Sequence, residues 1–244
     1  MTPITLRRLG AFLAAAFLAA GAAFAQEAAI RKNISERLPE FPKIDEVSKT
    51  SFPGLYEVRV GTDVFYTDEQ GNHLIEGQLI DTRSRVNLTE ARVAKLTAID
   101  FASLPLKDAL VHKQGNGSRK IAVFADPNCT FCKRFERDLQ HVKDVTVYTF
   151  LFPILGGDSP EKSKNIWCAK DSAKAWTDLM IDGVAPPRAM GACDASVLQR
   201  NAALGRKHKV TGTPAIVFED GTRVPGALTA EQMEKRLVAA QRKG

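Results

Sequence analysis

Little in this 244-residue chain is available for metal or haem chemistry. Its four histidines, His73, His112, His141 and His208, show no pair at ligand spacing, and only one Cys-x-x-Cys occurs. A zinc site normally shows a second such motif or two closely spaced histidines. Haem attachment needs histidine directly after the second cysteine, where this chain has Lys133. Basic residues are interspersed with acidic ones and form no patch or stripe, so no nucleic-acid partner is expected. The formal charge is +6 and falls by two without Arg7 and Arg8, an excess that serves solubility. No stretch after Ala25 is long and apolar enough to span a bilayer.

What is present begins with an export signal. Arg7 and Arg8 precede an apolar run from Leu9 to Ala20, and Ala23-Phe24-Ala25 supplies the small-x-small pattern of a cleavage site. The run is short for a membrane anchor, which needs ~20 residues. Residues 1–25 are therefore expected to be a cleaved signal peptide, with the mature chain starting at Gln26. Export places the four cysteines, Cys129, Cys132, Cys168 and Cys193, where disulfides form and persist.

Residues 26–85 read as a short helix followed by strands at Leu55 to Val60, Val64 to Tyr66 and His73 to Ile80, with turn residues Asp68 to Asn72 between the last two. So small a cysteine-free unit buries little core, which suggests self-association, with an exposed strand edge between Val58 and Phe65 as the expected surface. Asn87-Leu88-Thr89-Glu90 opens a helical stretch with Val93, Leu96, Ile99 and Phe101 at helical spacing, giving a linker helix over residues 86–104. From residue 105 to 244 the pattern changes. Lys120 to Ala125 is a continuous apolar strand, Cys129 to His141 a helix and Val145 to Phe150 a second strand, which is the parallel unit of an α/β fold. A largely helical stretch from Ser159 to Lys207 follows. Ala215 to Phe218 and Thr222 to Val224 then form a hairpin about Asp220-Gly221, and Thr229, Met233, Leu237 and Val238 mark a closing helix. This order matches a thioredoxin-like domain with a helical insertion.

The Cys129-Thr130-Phe131-Cys132 motif falls after a buried strand, at a helix start. Free backbone N–H groups and the positive end of the helix dipole favour a thiolate there. The spacing lets the second sulfur, one turn on, attack a mixed disulfide on the first. Cys129 is thus the expected nucleophile and Cys132 the resolving thiol. For Cys168 and Cys193 the reading is a structural disulfide, with a second redox pair as the alternative. Thr213-Pro214 stands just before a strand, where a cis bond would place backbone beside the cysteines and leave an edge for an extended substrate. Asp126 reads as a turn or cap residue, with a role in proton movement as the alternative.

Phe124-Ala125-Asp126 leading into Cys-x-x-Cys, Ile166 to Asp171, Gly212 to Ala215, and Gly221 to Gly226 together resemble the periplasmic disulfide isomerases of the DsbC type, with DsbG as a close relative. The resemblance covers essentially the whole mature chain. It implies an α+β / α/β architecture: a small cystatin-like dimerisation domain, a linker helix and a thioredoxin-like domain. It also implies a periplasmic homodimer whose cleft holds misfolded or mis-disulfided exported proteins, kept reduced by a DsbD-like membrane thiol reductase, with no cofactor. Cys168 and Cys193 fall at the family's structural disulfide, Thr213-Pro214 at its cis proline, and Thr130-Phe131 where the best-known members have Gly-Tyr. Those two positions tune redox potential and substrate fit. The implied activity is disulfide isomerisation and reduction; the alternatives are reduction of sulfenylated cysteines and a redox-independent chaperone.

Overall fold

The computed structural model describes residues 25–242, so residues 1–24 of the expected signal peptide lie outside it. No described helix is long and apolar enough to cross a membrane. The chain divides into two compact units between Leu96 and Thr97.

In the first unit helix α1, residues 25–37, packs Ile30 and Ile34 on an antiparallel sheet. The sheet order is β1 (Glu46–Lys49), β2 (Leu55–Val60), β3 (Asp63–Asp68) and β4 (Leu74–Ile75). Tyr56 and Val58 alternate with less buried neighbours along β2, as a one-faced strand requires. Val58 and Phe65 face each other across the β2–β3 pairing, and β4 pairs with β3 only at Tyr66 and Thr67, so among the described strands none pairs with the outer side of Asp63 to Phe65. β1 and the two-residue β4 are the outer strands of this sheet. The strand expected from His73 to Ile80 breaks after Ile75; Ile80–Asp81 (β5) pairs instead with Val86–Asn87 (β6).

Helix α2 (Leu88–Leu96) is held to this sheet by charge. Arg92 reaches Glu57 at 2.8 Å and Glu46 at 3.0 Å, and Glu46 also takes Arg59 at 3.0 Å. The helix expected over residues 86–104 ends at Leu96. Ile99 and Phe101 have helical spacing but belong to the second unit's core, where the Ile99 N–H donates to the Gly221 carbonyl at 3.0 Å.

The second unit holds a five-stranded sheet in the order β11 (Arg223–Pro225), β10 (Ala215–Phe218), β8 (Arg119–Ala125), β9 (Val145–Leu151) and β7 (Leu110–Gln114). Only β8 and β9 are parallel, joined through helix α3 (Thr130–Leu139). β8 is buried on both faces, which is why it reads as an unbroken apolar run. Ile121, Val123 and Ala125 meet Phe135 and Leu139 of α3 and Met233 and Leu237 of α7 (Ala230–Gln241). Ala122 and Phe124 turn the other way, towards Phe150 and Phe152, and the Phe124 and Phe150 rings stack at 5.2 Å. Between β9 and β10 the chain forms α4 (Ser159–Trp167), α5 (Ser172–Thr177), a short π-helix (Asp178–Asp182) and α6 (Ser196–Lys207). The helical stretch expected from Ser159 to Lys207 is interrupted over residues 183–195.

One glycine of α6 marks how tightly it lies on the sheet. A Cβ on Gly205 would stand 2.5 Å from the buried Phe152 ring. Alanine gains ~1 kcal/mol in helix propensity, but forcing a methyl into a filled site costs ~1–3 kcal/mol. Phe152 is only 3% exposed, and a buried aromatic ring yields less readily than a flexible chain end, so packing outweighs propensity. Gly205→Ala is expected to lower the denaturant midpoint, and equilibrium unfolding checks the sign.

Candidate active site

At the end of β8 the chain turns through Asp126-Pro127-Asn128, and the fully buried Asp126 fixes that turn. Its carboxylate accepts from the Asn128 N–H at 2.8 Å, the Leu155 N–H at 3.0 Å and the Ser159 hydroxyl at 2.7 Å. Its carbonyl accepts from the Cys129 N–H at 3.1 Å. Asp126 thereby ties the cysteine turn to the loop after β9 and to α4. On the surface Asn128 adds a second tie, to Asp158 at 2.6 Å and Lys162 at 2.9 Å.

Cys129 is the N-cap of α3. Its backbone is extended (φ −74°, ψ 117°), and its Sγ accepts the Cys132 N–H at 3.3 Å. The same sulfur donates to the Thr213 carbonyl at 3.2 Å, so the thiol is held between the helix N-terminus and the loop before β10. The Thr213-Pro214 bond is cis. The Gly226 N–H donates to the Pro214 carbonyl at 2.8 Å, joining this loop to the end of β11. Both Cys129 and Cys132 are free thiols.

The two sulfurs stand in different surroundings. Cys129 is only 4% exposed, but Thr130 is exposed and Phe131 is 62% exposed, so the spacer presents an outward rim beside the thiol. Cys132 lies deeper, against the apolar core below α3, and burial pushes its thiol well above the ordinary cysteine range. Such a pair can offer one sulfur to a substrate and keep the other inside until a mixed disulfide forms.

Cys129, Cys132, Thr213 and Pro214 are thus brought together. Cys168 and Cys193 are bonded to each other, anchoring the 183–195 segment to the end of α4. Among the described residues no group of three or more His, Cys, Asp or Glu is placed to hold a metal ion.

One residue was not anticipated. Glu136 is 4% exposed on α3, and its carboxylate accepts from the Trp176 indole N–H at 2.7 Å. Burial raises its pKa to about 7, and the indole bond offsets only part of that shift. The signal lay in the spacing: Cys132, Phe135, Glu136 and Leu139 follow the i, i+3, i+4, i+7 pattern of a buried helix face.

Comparison with known proteins agrees with this geometry. Residues 106–241 match the thioredoxin-like domain family, and residues 21–90 match the disulfide bond isomerase protein N-terminal domain. A probable thiol:disulfide interchange protein DsbC of Bordetella pertussis is 46% identical over 87% of this chain and 74% of its own. The thiol:disulfide interchange protein DsbC of Escherichia coli K12 is 30% identical over 93% of this chain and 94% of its own. Among solved structures, a disulfide interchange protein from Neisseria gonorrhoeae matches with 38% identity and a TM-score of 0.53, covering 57% of this chain and 99% of its own.

Two outcomes are expected from this geometry. Replacing Cys168 and Cys193 together by serine reopens a loop with a sequence separation of 25, and the loop-closure entropy corresponds to about 3.5 kcal/mol of stability. Alkylation of Cys129 should proceed as before; its loss in a variant that remains folded contradicts a purely structural bond. The second outcome concerns pH. Folded Glu136 keeps its proton up to about 7, whereas the unfolded side chain releases it near ~4.3. Between those values the folded state binds more protons, so this group makes stability fall as pH rises through the window. Glu136→Gln should flatten that part of the stability profile, as read from urea midpoints.

Proposed function

The chain belongs to the DsbC family of thiol:disulfide interchange proteins and is a thiol-disulfide oxidoreductase, and from that premise we propose that Cys129 attacks incorrect disulfides in exported proteins and Cys132 resolves the product. The observation that carries this reading is the placement of the Cys129 sulfur at the N-cap of α3, accepting the Cys132 N–H at 3.3 Å. A helix N-terminus stabilises negative charge on an atom in that position.

In the first step the Cys129 thiolate bonds to one sulfur of the substrate disulfide and the other leaves as a thiolate. If a substrate thiolate then attacks the mixed disulfide, the substrate emerges with a different pairing and Cys129 is regenerated. That sequence is isomerisation, with no net change in oxidation. If Cys132 attacks instead, the substrate is released reduced by two electrons and Cys129–Cys132 becomes a disulfide. The second route needs a donor to restore the thiols, and a DsbD-like membrane thiol reductase fills that role.

Thr213, Pro214, Thr130 and Phe131 form the substrate-binding rim. Support comes from the exposed Phe131 ring and from the Thr213 carbonyl, which already accepts from the Cys129 thiol. An extended substrate segment lies along this loop, with its sulfur opposite Cys129. Residues 26–85 serve as the dimerisation domain and residues 1–25 as the cleaved signal that delivers the chain to the periplasm. A second reading, a chaperone that holds unfolded chains without redox turnover, draws on exposed Phe131, Ile154 and Leu155, the last beside Asp126.

Recovery of activity from a scrambled-disulfide test protein separates these readings. Reduced residues 26–244 should restore it, and the Cys129→Ser variant should not. Suppression of aggregation by both, with recovery by neither, favours the binding protein. Sedimentation should find a dimer at micromolar concentration, and a monomer removes the cleft arrangement.

A further inference from the structure

Arg223 of β11 is a half-buried cation that forms no ion pair among the described residues. Other arginines of the chain are met by acids. Arg92 reaches Glu57, Arg119 reaches Glu234 and Arg200 reaches Asp108, and each holds its proton more tightly for it. On Arg223 burial alone acts, and it weakens that hold. A guanidinium carries several N–H donors in a planar fork, and here one of them donates to the His208 carbonyl. The carboxylates of the same hairpin are engaged elsewhere. Glu219 accepts from the Lys120 N–H at 3.0 Å and pairs with its ammonium at 3.4 Å, and Asp220 accepts from the Thr222 N–H at 3.0 Å.

The fold sets this guanidinium beside a basic helix end. In the sequence Arg223 stands apart from Arg206-Lys207-His208-Lys209, the close of α6. Lys209 takes the left-handed region (φ 51°), its N–H donating to the Arg206 carbonyl at 3.0 Å and the Val210 N–H to the Gly205 carbonyl at 2.9 Å. That turn ends α6 and leaves His208 half-buried, its carbonyl against Arg223. Burial, then the positive charges of Lys207 and Arg223, lower the pKa of His208. The negative end of the helix dipole accounts for Arg206 and Lys207. It does not account for a second element bringing in a further cation and partly burying it among like charges. Such a cluster costs stability until an opposite charge joins it, and the one carbonyl bond offsets only part of that cost.

We propose that Lys207, His208 and Arg223 form a binding site for a phosphate group, either the free ion or the headgroup of an acidic phospholipid. The Arg223 fork matches two phosphate oxygens, Lys207 adds an exposed point charge and His208 a ring N–H. Three cationic groups suit a doubly charged ion better than the single charge of a carboxylate. The segment from Lys209 to Gly212 leads from this site to Thr213, yet the inference does not depend on the chemistry assigned to Cys129.

The test follows the histidine ring signals of residues 26–244 by NMR, with that of His208 identified by its loss in His208→Asn. Inorganic phosphate added at neutral pH and constant ionic strength, with chloride as the balancing salt, should move the His208 signal along a saturating curve. The signals of His73, His112 and His141 should stay in place. Bound anion also favours the protonated ring, so the His208 inflection should rise in phosphate and not in chloride. Arg223→Gln should weaken binding on the order of tenfold, the contribution of one charged donor. Lys207→Gln changes an exposed side chain, should weaken binding in the same direction, and carries the test if Arg223→Gln does not fold. Flotation with vesicles distinguishes the two sources. Arg223-dependent binding to phosphatidylglycerol vesicles and not to phosphatidylcholine ones identifies the headgroup; binding to neither identifies the free ion. A His208 signal that responds to phosphate no more than to chloride overturns the proposal, as does an unchanged saturating curve in Lys207→Gln and Arg223→Gln.

Discussion

Strand β8 is hydrogen-bonded along both edges, parallel to β9 and antiparallel to β10, and the site follows from that pairing. Because β9 runs the same way, the chain leaves β8 at Ala125 and β9 at Leu151 on one margin of the sheet. Because β10 runs the opposite way, it enters the sheet at Ala215 beside Phe124, on the same margin. Three segments distant in sequence converge there: the cysteine turn, the loop carrying Leu155 and the Thr213-Pro214 loop. The apolar faces of β8 fix this register, since a slip of one residue would exchange its two cores.

The convergence would bury unsatisfied polar backbone if nothing met it. Asp126 meets part of it, its carboxylate accepting from the Asn128 and Leu155 N–H groups and the Ser159 hydroxyl and its carbonyl closing the cysteine turn. Below this layer the surroundings become apolar, and the two sulfurs diverge. One is placed at a helix end among N–H donors; the other is pressed into the core with Trp176 and Met180. A separation of one helical turn therefore yields two thiols of different character from the same residue type.

Much of this was legible in the sequence. The strand at Lys120 to Ala125, the Cys-x-x-Cys at a helix start, the closing hairpin about Asp220-Gly221 and the bonded pair Cys168 and Cys193 all carry strong local signals, because each is set by periodicity, turn chemistry or count. Short edge strands such as β1 and β7 were missed, as four or five residues offer little periodicity. Apolar alternation marks β2 and β3 as strands but not their neighbours, and it is the shortness of β4 that leaves the outer side of Asp63 to Phe65 without a ladder partner among the described strands. The linker helix was drawn too long because Ile99 and Phe101 keep helical spacing by chance while packing in another core. Glu136 belongs to no motif, and only its place on the buried face of α3 marks it.

The N-cap of α3 has a consequence of a different kind. Helix starts favour Ser, Thr, Asp or Asn, whose small hard oxygens bind the first-turn N–H groups well. Sulfur is larger and a weaker acceptor, yet here it holds that post. Position 129 is therefore one at which endurance and reactivity ask for different atoms. A serine there occupies the same space and secures the helix better, at the loss of the redox atom. Ranking substitutions by resistance to heat would single out this cysteine for early replacement, and the hardened chain would have no sulfur at the place where exchange begins.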